Sequence, residues 1–221
     1  MKNDCALIVF AKAPVPGTVK TRLARVMGDE AAARLSSRML TETLTHAIEA
    51  GIGPVELCCA PDTTHPEFMR AAIERGVGLT SQGEGDLGAR MHRALTRSLH
   101  AHRHALLIGT DAPSLDAARL RDAAAALHTH AAVFVPAADG GYVLVGLAQP
   151  MSALFDEIAW GTGQVMAQTR ERLRASGIDA AELASVHDVD EPEDLVHLPA
   201  GWPALRAWVA TGPRDNVLSI D

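Results

Sequence analysis

The stretch "AVFVPAADGGYVLVGL", Ala132 to Leu147, decides how this chain folds. It holds two short apolar runs, Ala132–Pro136 and Tyr142–Leu147, rich in valine and aromatic side chains, and both read as strands. The five residues between them cannot hold a crossover helix, so the runs are expected to pair antiparallel. Elsewhere the pattern differs. Cys5–Phe10, Val55–Ala60 and Ala105–Thr110 are strand-like runs separated by long helical patterns, with weaker strand candidates at Gly76–Thr80 and Glu182–Val186. Alternation of that kind implies a mostly parallel sheet with helices on both faces. The expected fold class is therefore α/β: a mostly parallel mixed sheet with one local antiparallel excursion.

The helical candidates follow the 3.6 period. Leu35, Met39, Leu40, Leu44 and Ile48 recur through "DEAAARLSSRMLTETLTHAIEAG", which stops at Gly51. Leu87, Met91, Leu95 and Leu99 recur in "DLGARMHRALTRSLH". "SLDAARLRDAAAALHTH" begins with Ser114 as its expected N-cap, and "GQVMAQTRERLRASG" ends on glycine. A further helix is expected to begin near Lys20. No internal repeat or low-complexity linker interrupts the 221 residues, so residues 1–221 are read as a single domain. The polar tail "TGPRDNVLSID" is expected to be loosely held.

Composition excludes several function classes. A net charge of -7 argues against a general nucleic-acid binder, and any anion site must be a local basic patch. Cys5, Cys58 and Cys59 are too few and badly spaced for a disulfide framework, and adjacent Cys58 and Cys59 should face opposite sides of a strand. The start "MKNDCALIVFAKAP" has no small-residue cleavage site and reads as a first strand rather than a signal peptide. No apolar run has the length of a membrane span. A cytoplasmic protein is expected, with its oligomeric state open.

In such sheets ligands sit beyond the carboxyl ends of the strands. After the first strand comes "FAKAPVPGTVKTRL", Phe10–Leu23, which ends in Lys-Thr like a P-loop. A P-loop would need glycine at positions 14 and 19, where Pro14 and Val19 stand. The ingredients of an anion site remain: Lys12, Lys20 and Arg22, with Gly17 allowing close backbone approach ahead of a helix. Three cations suit a diphosphate or triphosphate. "GEGDLG", Gly83–Gly88, matches a dinucleotide fingerprint, but it follows a weak strand and carries acids that would repel pyrophosphate. It is expected instead to line a nucleotide pocket, with Gln82, Gly85 and Asp86 meeting base or ribose.

Carboxylates supply the other half. Asp111 ends a strong strand in "LLIGTDAPSL", positioned to hold Mg²⁺ or Mn²⁺ against phosphate. In "HDVDEPEDL", Asp188 and Asp190 share a face if the segment is extended, and could complete a metal site with Asp111. His187 is open between a ligand or acid role and a structural one. Glu191, Glu193 and Asp194 suit the first turn of the next helix. Asp139 is either a hairpin-turn residue or a hydroxyl-binding group, and "AWGTGQV", Trp160–Val165, could carry an acceptor loop.

Taken in order, "FAKAPVPGTVKTRL", "GDLGARM", "GTDAPSL", "DGGYVLVGL", the Trp160 loop and "HDVDEPEDL" resemble a bacterial family of provisionally assigned glycosyltransferases with the GT-A, or nucleotide-diphospho-sugar transferase, fold. The chain is similar to the arsenosugar-biosynthesis type, and more distantly to guanylyltransferases acting on 2-phospholactate and on the molybdenum cofactor. The resemblance runs from about Ala6 to Leu195. It implies a three-layer, Rossmann-like α/β/α fold and a nucleotide in the N-terminal half. It also implies phosphate contacts from Lys12, Gly17, Lys20 and Arg22, and a divalent metal on Asp111 with Asp188 or Asp190. The expected activity is metal-dependent transfer from an activated nucleotide, with Asp111, Asp139, Asp188 and Asp190 as catalytic candidates. A nucleotide-sugar donor and a small acceptor stand first. Nucleotidyl transfer from an NTP with pyrophosphate release stands second, and non-catalytic nucleotide binding third.

Overall fold

The hairpin forms as the sequence implies. In the computed structural model, which describes residues 4–202 and 208, strand β5 (Ala132–Pro136) pairs antiparallel with β6 (Tyr142–Leu147), and the register slips at Val135/Pro136. β6 also lies antiparallel to β4 (His104–Ile108). The remaining pairings, among β1 (Cys5–Lys12), β2 (Val55–Ala60), β3 (Gly78–Ser81), β4, β5 and β7 (Ala180–Glu182), are parallel. The sheet order is β3-β2-β1-β4-β6-β5-β7, so one reversed strand sits inside an otherwise parallel sheet. Helices α1 (Thr21–Met27), α2 (Asp29–Ala50), α3 (Pro66–Arg75), α4 (Leu87–Leu99), α5 (Ala117–Ala126) and α6 (Val165–Ala175) run between successive strands.

Strand alternation distributes the core to the two faces. Leu7, Val9, Leu57, Cys59, Leu106 and Val133 meet Leu40, Leu44, Phe68 and Leu120 of α2, α3 and α5. Ile8, Phe10, Cys58, Leu107, Phe134 and Val145 meet Met91, Leu95, Met166 and Leu173 of α4 and α6. Adjacent Cys58 and Cys59 thus enter opposite layers, and burial pushes the Cys5 and Cys59 thiols up to about 12. A third cluster joins Leu23, Met27, Leu35 and Met39 of α1 and α2 to Val189, tying the C-terminal segment to the loop after β1. No described helix is long and apolar enough to cross a membrane.

Two expectations are corrected. The last strand lies at Ala180–Glu182 rather than Glu182–Val186. The chain turns at Gly177 soon after α6, so pairing with Ala132 begins at Ala180, and beyond the bulge in β5 only the Ala137–Val186 bridge resumes it. The cap of α5 is Asp116, whose carboxylate accepts from the Arg119 amide at 2.9 Å, while Ser114 lies in the preceding turn. A carboxylate opposes the helix dipole more strongly than a hydroxyl does. Helix α3 carries a weak sequence signal, since it buries only Phe68 and Ala71 and leaves Met69 and Ile73 exposed. The polar tail at 211–221 lies outside the described residues.

One glycine of β6 is demanded by packing. A Cβ on Gly146 would stand 2.4 Å from Leu106 Cδ2 and 2.6 Å from Val133 Cγ1, within the layer that locks β6 between β4 and β5. Gly146→Ala is expected to cost about 1–3 kcal/mol through overpacking, measured by urea unfolding. An unchanged midpoint and slope would contradict the tight fit of this strand.

Candidate functional site

The loop after β1 folds on its own short-range chemistry. Pro14 and Pro16 restrict the backbone, Val15 and Thr18 close turns onto Ala13 and Val15 carbonyls, and Gly17 takes a φ of 77°. The Lys12 ammonium crosses the loop to the Thr18 carbonyl at 2.7 Å. Lys20 then enters the left-handed region, φ 47° and ψ 42°, immediately before α1. For a non-glycine residue that conformation costs roughly 1–2 kcal/mol, and tertiary contacts must hold it.

Those contacts come from the far side of the sequence. The Lys20 side chain is 5% exposed, and its ammonium donates to Asp111 Oδ1, to the Val189 carbonyl at 2.8 Å and to Asp190 Oδ1 at 2.7 Å. Burial alone would push this ammonium down; Asp111 and Asp190 together outweigh burial and hold it above its ordinary value. The Val189 amide donates to the Asp111 carbonyl at 2.8 Å, so backbone pairing fixes the two carboxylates relative to each other. Behind them, the Asp194 carboxylate accepts from the Asp190 and Glu191 amides in the capping box of the 3₁₀ segment Pro192–His197. Glu191 is the cap itself rather than a first-turn residue.

Around this junction lies a two-lobed cleft at the carboxyl ends of β1 and β4. The first lobe, about 380 Å³, is bordered by Lys12, Lys20, Gln82, Gly109, Thr110 and Asp111. The second, about 360 Å³, is bordered by Arg22, Asp139, Trp160, Gly161 and Thr162. Lys20, Asp190 and Tyr142 belong to both lobes. The second lobe owes its shape to close backbone packing. A Cβ on Gly140 (φ 93°) would stand 2.3 Å from the Gly163 carbonyl oxygen, and the Met166 amide donates to the Gly140 carbonyl. Asp139 accepts from the Gly141 amide at 2.8 Å, so it serves the turn while lining the lobe.

The cleft gathers Lys12, Lys20, Arg22, Gln82, Asp111, Asp139 and Asp190 from the residues singled out in the sequence. Others fall elsewhere. Gly17 packs beside Asp29. Asp86 caps α4 by accepting from the Ala89 amide and borders a separate depression with His92 and Arg93, while the Gly85 carbonyl accepts from Arg90. Gly88 is required by packing, since Trp160 Nε1 would lie 2.6 Å from its Cβ. Gln82 uses its amide nitrogen on the Ala11 and Cys58 carbonyls, bracing the ends of β1 and β2. His187 stacks on His197 with centroids 3.7 Å apart.

The expected trio of Asp111, Asp188 and Asp190 does not converge: among the described residues no three metal-ligating side chains meet at one point. Asp111 and Asp190 share the Lys20 ammonium instead, and Asp188 is set against Asp139. Two site residues were missed. The Val189 contact is a backbone carbonyl, invisible to residue-type reading. Tyr142, the chain's single tyrosine, borders both lobes with its hydroxyl buried and without a partner among the described residues.

Burial, then Asp139, and further Asp190 and Asp194 push the Asp188 carboxyl up to about 6, against its own backbone hydrogen bond. A raised acid holds its proton more tightly in the folded chain than in the unfolded one. Its ionised form therefore costs stability above pH 6, and that cost disappears as pH falls below about 4. Asp188→Asn is expected to unfold at a higher temperature than the native chain at pH 7.5, with the gap closing by pH 4. A gap of equal size at both pH values contradicts this electrostatic strain.

Comparisons with known proteins place this geometry in context. No curated protein matches the chain. A protein of known structure from Desulfovibrio desulfuricans, provisionally named a nucleotide-diphospho-sugar transferase, is similar at 28% identity and a TM-score of 0.82, over 95% of this chain and 94% of that one. A nucleotidyl transferase from Methanothermobacter thermautotroptrophicus aligns at 13% identity and a TM-score of 0.59, over 95% of this chain and 100% of that one. Rv0371c from Mycobacterium tuberculosis, crystallised with manganese, aligns at 18% identity and a TM-score of 0.52, over 86% and 93%. The last two likenesses speak for the fold alone. Together with the sheet order, they identify a Rossmann-like GT-A fold; the arsenosugar link finds no support among them. Residues 43–162, more than half of the chain, match the family described as "uncharacterized protein conserved in bacteria" (DUF2064), and the chain belongs to that family.

Proposed function

We propose that this protein transfers a nucleotidyl group from a nucleoside triphosphate to a small acceptor and releases pyrophosphate. The observation that carries this reading is the convergence of Asp111 and Asp190 on one cationic nitrogen where the two lobes meet, beside a loop bearing Lys12, Lys20 and Arg22. The triphosphate would run along that loop from the first lobe, with its base toward Gln82. The acceptor would lie in the second lobe beside Asp139, Trp160 and Thr162. An ionised phosphate oxygen of the acceptor attacks the α-phosphorus, the bond from that phosphorus to its bridging oxygen breaks, and the electron pair leaves with pyrophosphate. Lys12, Lys20 and Arg22 offset the charge on the departing group.

A divalent cation fits this donor set. Mg²⁺ and Mn²⁺ take one or two carboxylates and complete their shells with phosphate and water. Asp111 and Asp190 are two such hard ligands aimed at one point, so they would hold the ion. Bound there, the ion supplies charge neutralisation at the transferring phosphate. Rv0371c, which shares the fold, was crystallised in complex with manganese, and this supports use of a divalent metal.

Glycosyl transfer from a nucleotide-sugar is the second reading, favoured by the name of the 28% identical structure. Products separate the two. Incubation with ribonucleoside triphosphates or nucleotide-sugars, Mn²⁺ and a panel of small phosphorylated and hydroxylated acceptors is expected to release pyrophosphate. Release of nucleoside diphosphate from a nucleotide-sugar would favour glycosyl transfer, and nucleotide binding without turnover would favour a binding protein. Asp111→Asn is expected to lower turnover by about a hundredfold or more, the scale on which single charge-stabilising groups act. Full activity in that variant would sink the site assignment.

A further inference from the structure

The cation on Asp111 and Asp190 is a side chain of the loop proposed above to hold phosphate, and that coincidence has a consequence for how the site fills. Of the 20 basic residues in the sequence, only Lys2, Lys12 and Lys20 are lysines. Arginine serves everywhere else, including the half-exposed pair of Arg170 with Glu182. An ammonium is a compact point charge on a flexible stem, whereas a guanidinium is a broad planar fork. At the junction the compact group fits between Asp111, Asp190 and the Val189 carbonyl, a set of oxygens otherwise suited to a small hard cation.

We propose that Lys20 is a tethered placeholder for the divalent cation: its ammonium occupies the point where Asp111 and Asp190 converge and yields that point only to an ion arriving with nucleotide phosphates. The inference rests on the metal–nucleotide reading above and adds an order of assembly to it. An ion arriving alone would have to displace an ammonium that is 5% exposed, tied to three oxygens and always at hand through its tether. The displaced ammonium would lose both carboxylates and the Val189 carbonyl at once. Phosphate oxygens lying along Lys12–Arg22 change that balance, because they offer Lys20 a second partner on its own loop. Metal and nucleotide therefore strengthen each other's binding reciprocally. The left-handed backbone at Lys20 suits such a residue, since a strained conformation persists where surrounding contacts hold it and relaxes when they are exchanged. Between turnovers the ammonium also keeps the two carboxylates from repelling each other.

Water-proton relaxation with Mn²⁺, which reports ions held by the protein, tests the inference. The native chain, Lys20→Met and the double variant Lys20→Met/Asp111→Asn are titrated with Mn²⁺ alone and with Mn²⁺ plus each of the four ribonucleoside triphosphates. The native chain is expected to hold Mn²⁺ weakly alone and tightly with a triphosphate. Lys20→Met is expected to bind Mn²⁺ alone about tenfold or more tightly than the native chain, and the double variant to lose that gain. A native chain that takes up Mn²⁺ with a triphosphate, beside a Lys20→Met that binds Mn²⁺ alone no better than the native chain, overturns the placeholder and leaves the metal–nucleotide reading standing. Mn²⁺ binding that appears only in Lys20→Met, with none in the native chain under any triphosphate, overturns both the placeholder and the metal–nucleotide reading, because the ammonium then never yields its place.

A second arm uses the native chain and does not depend on a variant's folding. With only three lysines in the sequence, the ammonium signal of Lys20 in ¹⁵N-labelled protein is expected to stay in place with Mg²⁺ alone and to move with Mg²⁺ plus triphosphate. Equal movement with Mg²⁺ alone contradicts the placeholder.

Discussion

The Lys20 ammonium, held between Asp111 and Asp190, is the contact on which the architecture of this molecule turns. It joins the loop after the first strand to a turn after the fourth and to a segment near the end of the described chain. Buried charge of this kind is no simple source of stability, because desolvation offsets much of the Coulomb gain. Its meaning lies in arrangement. Two carboxylates and a cation have been brought to one point beside a cleft, and the backbone pairing of Val189 with Asp111 keeps them there.

The fold makes that arrangement possible through its one reversed strand. β6 enters the sheet between β4 and β5, so the hairpin tip at Asp139–Gly141 rises at the same edge where the β1 and β4 loops emerge. Glycines let the pieces close. Gly140 lies against the Gly163 backbone and Gly88 lies under Trp160, which brings the loop before α6 over the second lobe. Packing of Val189 beneath α1 and α2 delivers Asp190 to the other side. The cleft is thus assembled from five connections of the sheet, and its two lobes meet at the charged junction.

Much of this was legible in the sequence, and the reasons are specific. The hairpin was readable because five residues cannot span a crossover. The anion-loop candidates and Asp111 were readable because they follow strong strands. What escaped reading depends on three-dimensional pairing. Asp188 and Asp190 share a spacing that suits a common face, yet of the two only Asp190 meets the Lys20 ammonium, while the Val189 amide between them pairs with the Asp111 carbonyl. Asp86 has the composition of a pocket residue and the geometry of a helix cap. Lys20 reads as a phosphate contact by type, and its engagement with carboxylates more than 90 residues away leaves no local trace. Helix α3 was missed because a helix that buries two side chains leaves little periodicity.

The account stands most directly on where a metal ion settles. Crystals grown with Mn²⁺ and a ribonucleoside triphosphate, measured at the manganese absorption edge, locate the ion without reference to any assumed mechanism. The account predicts an anomalous peak within coordination distance of the Asp111 and Asp190 carboxylates, with the Lys20 ammonium turned onto phosphate. A peak elsewhere on the protein, with Lys20 still lodged between the two carboxylates and nucleotide bound, would contradict it.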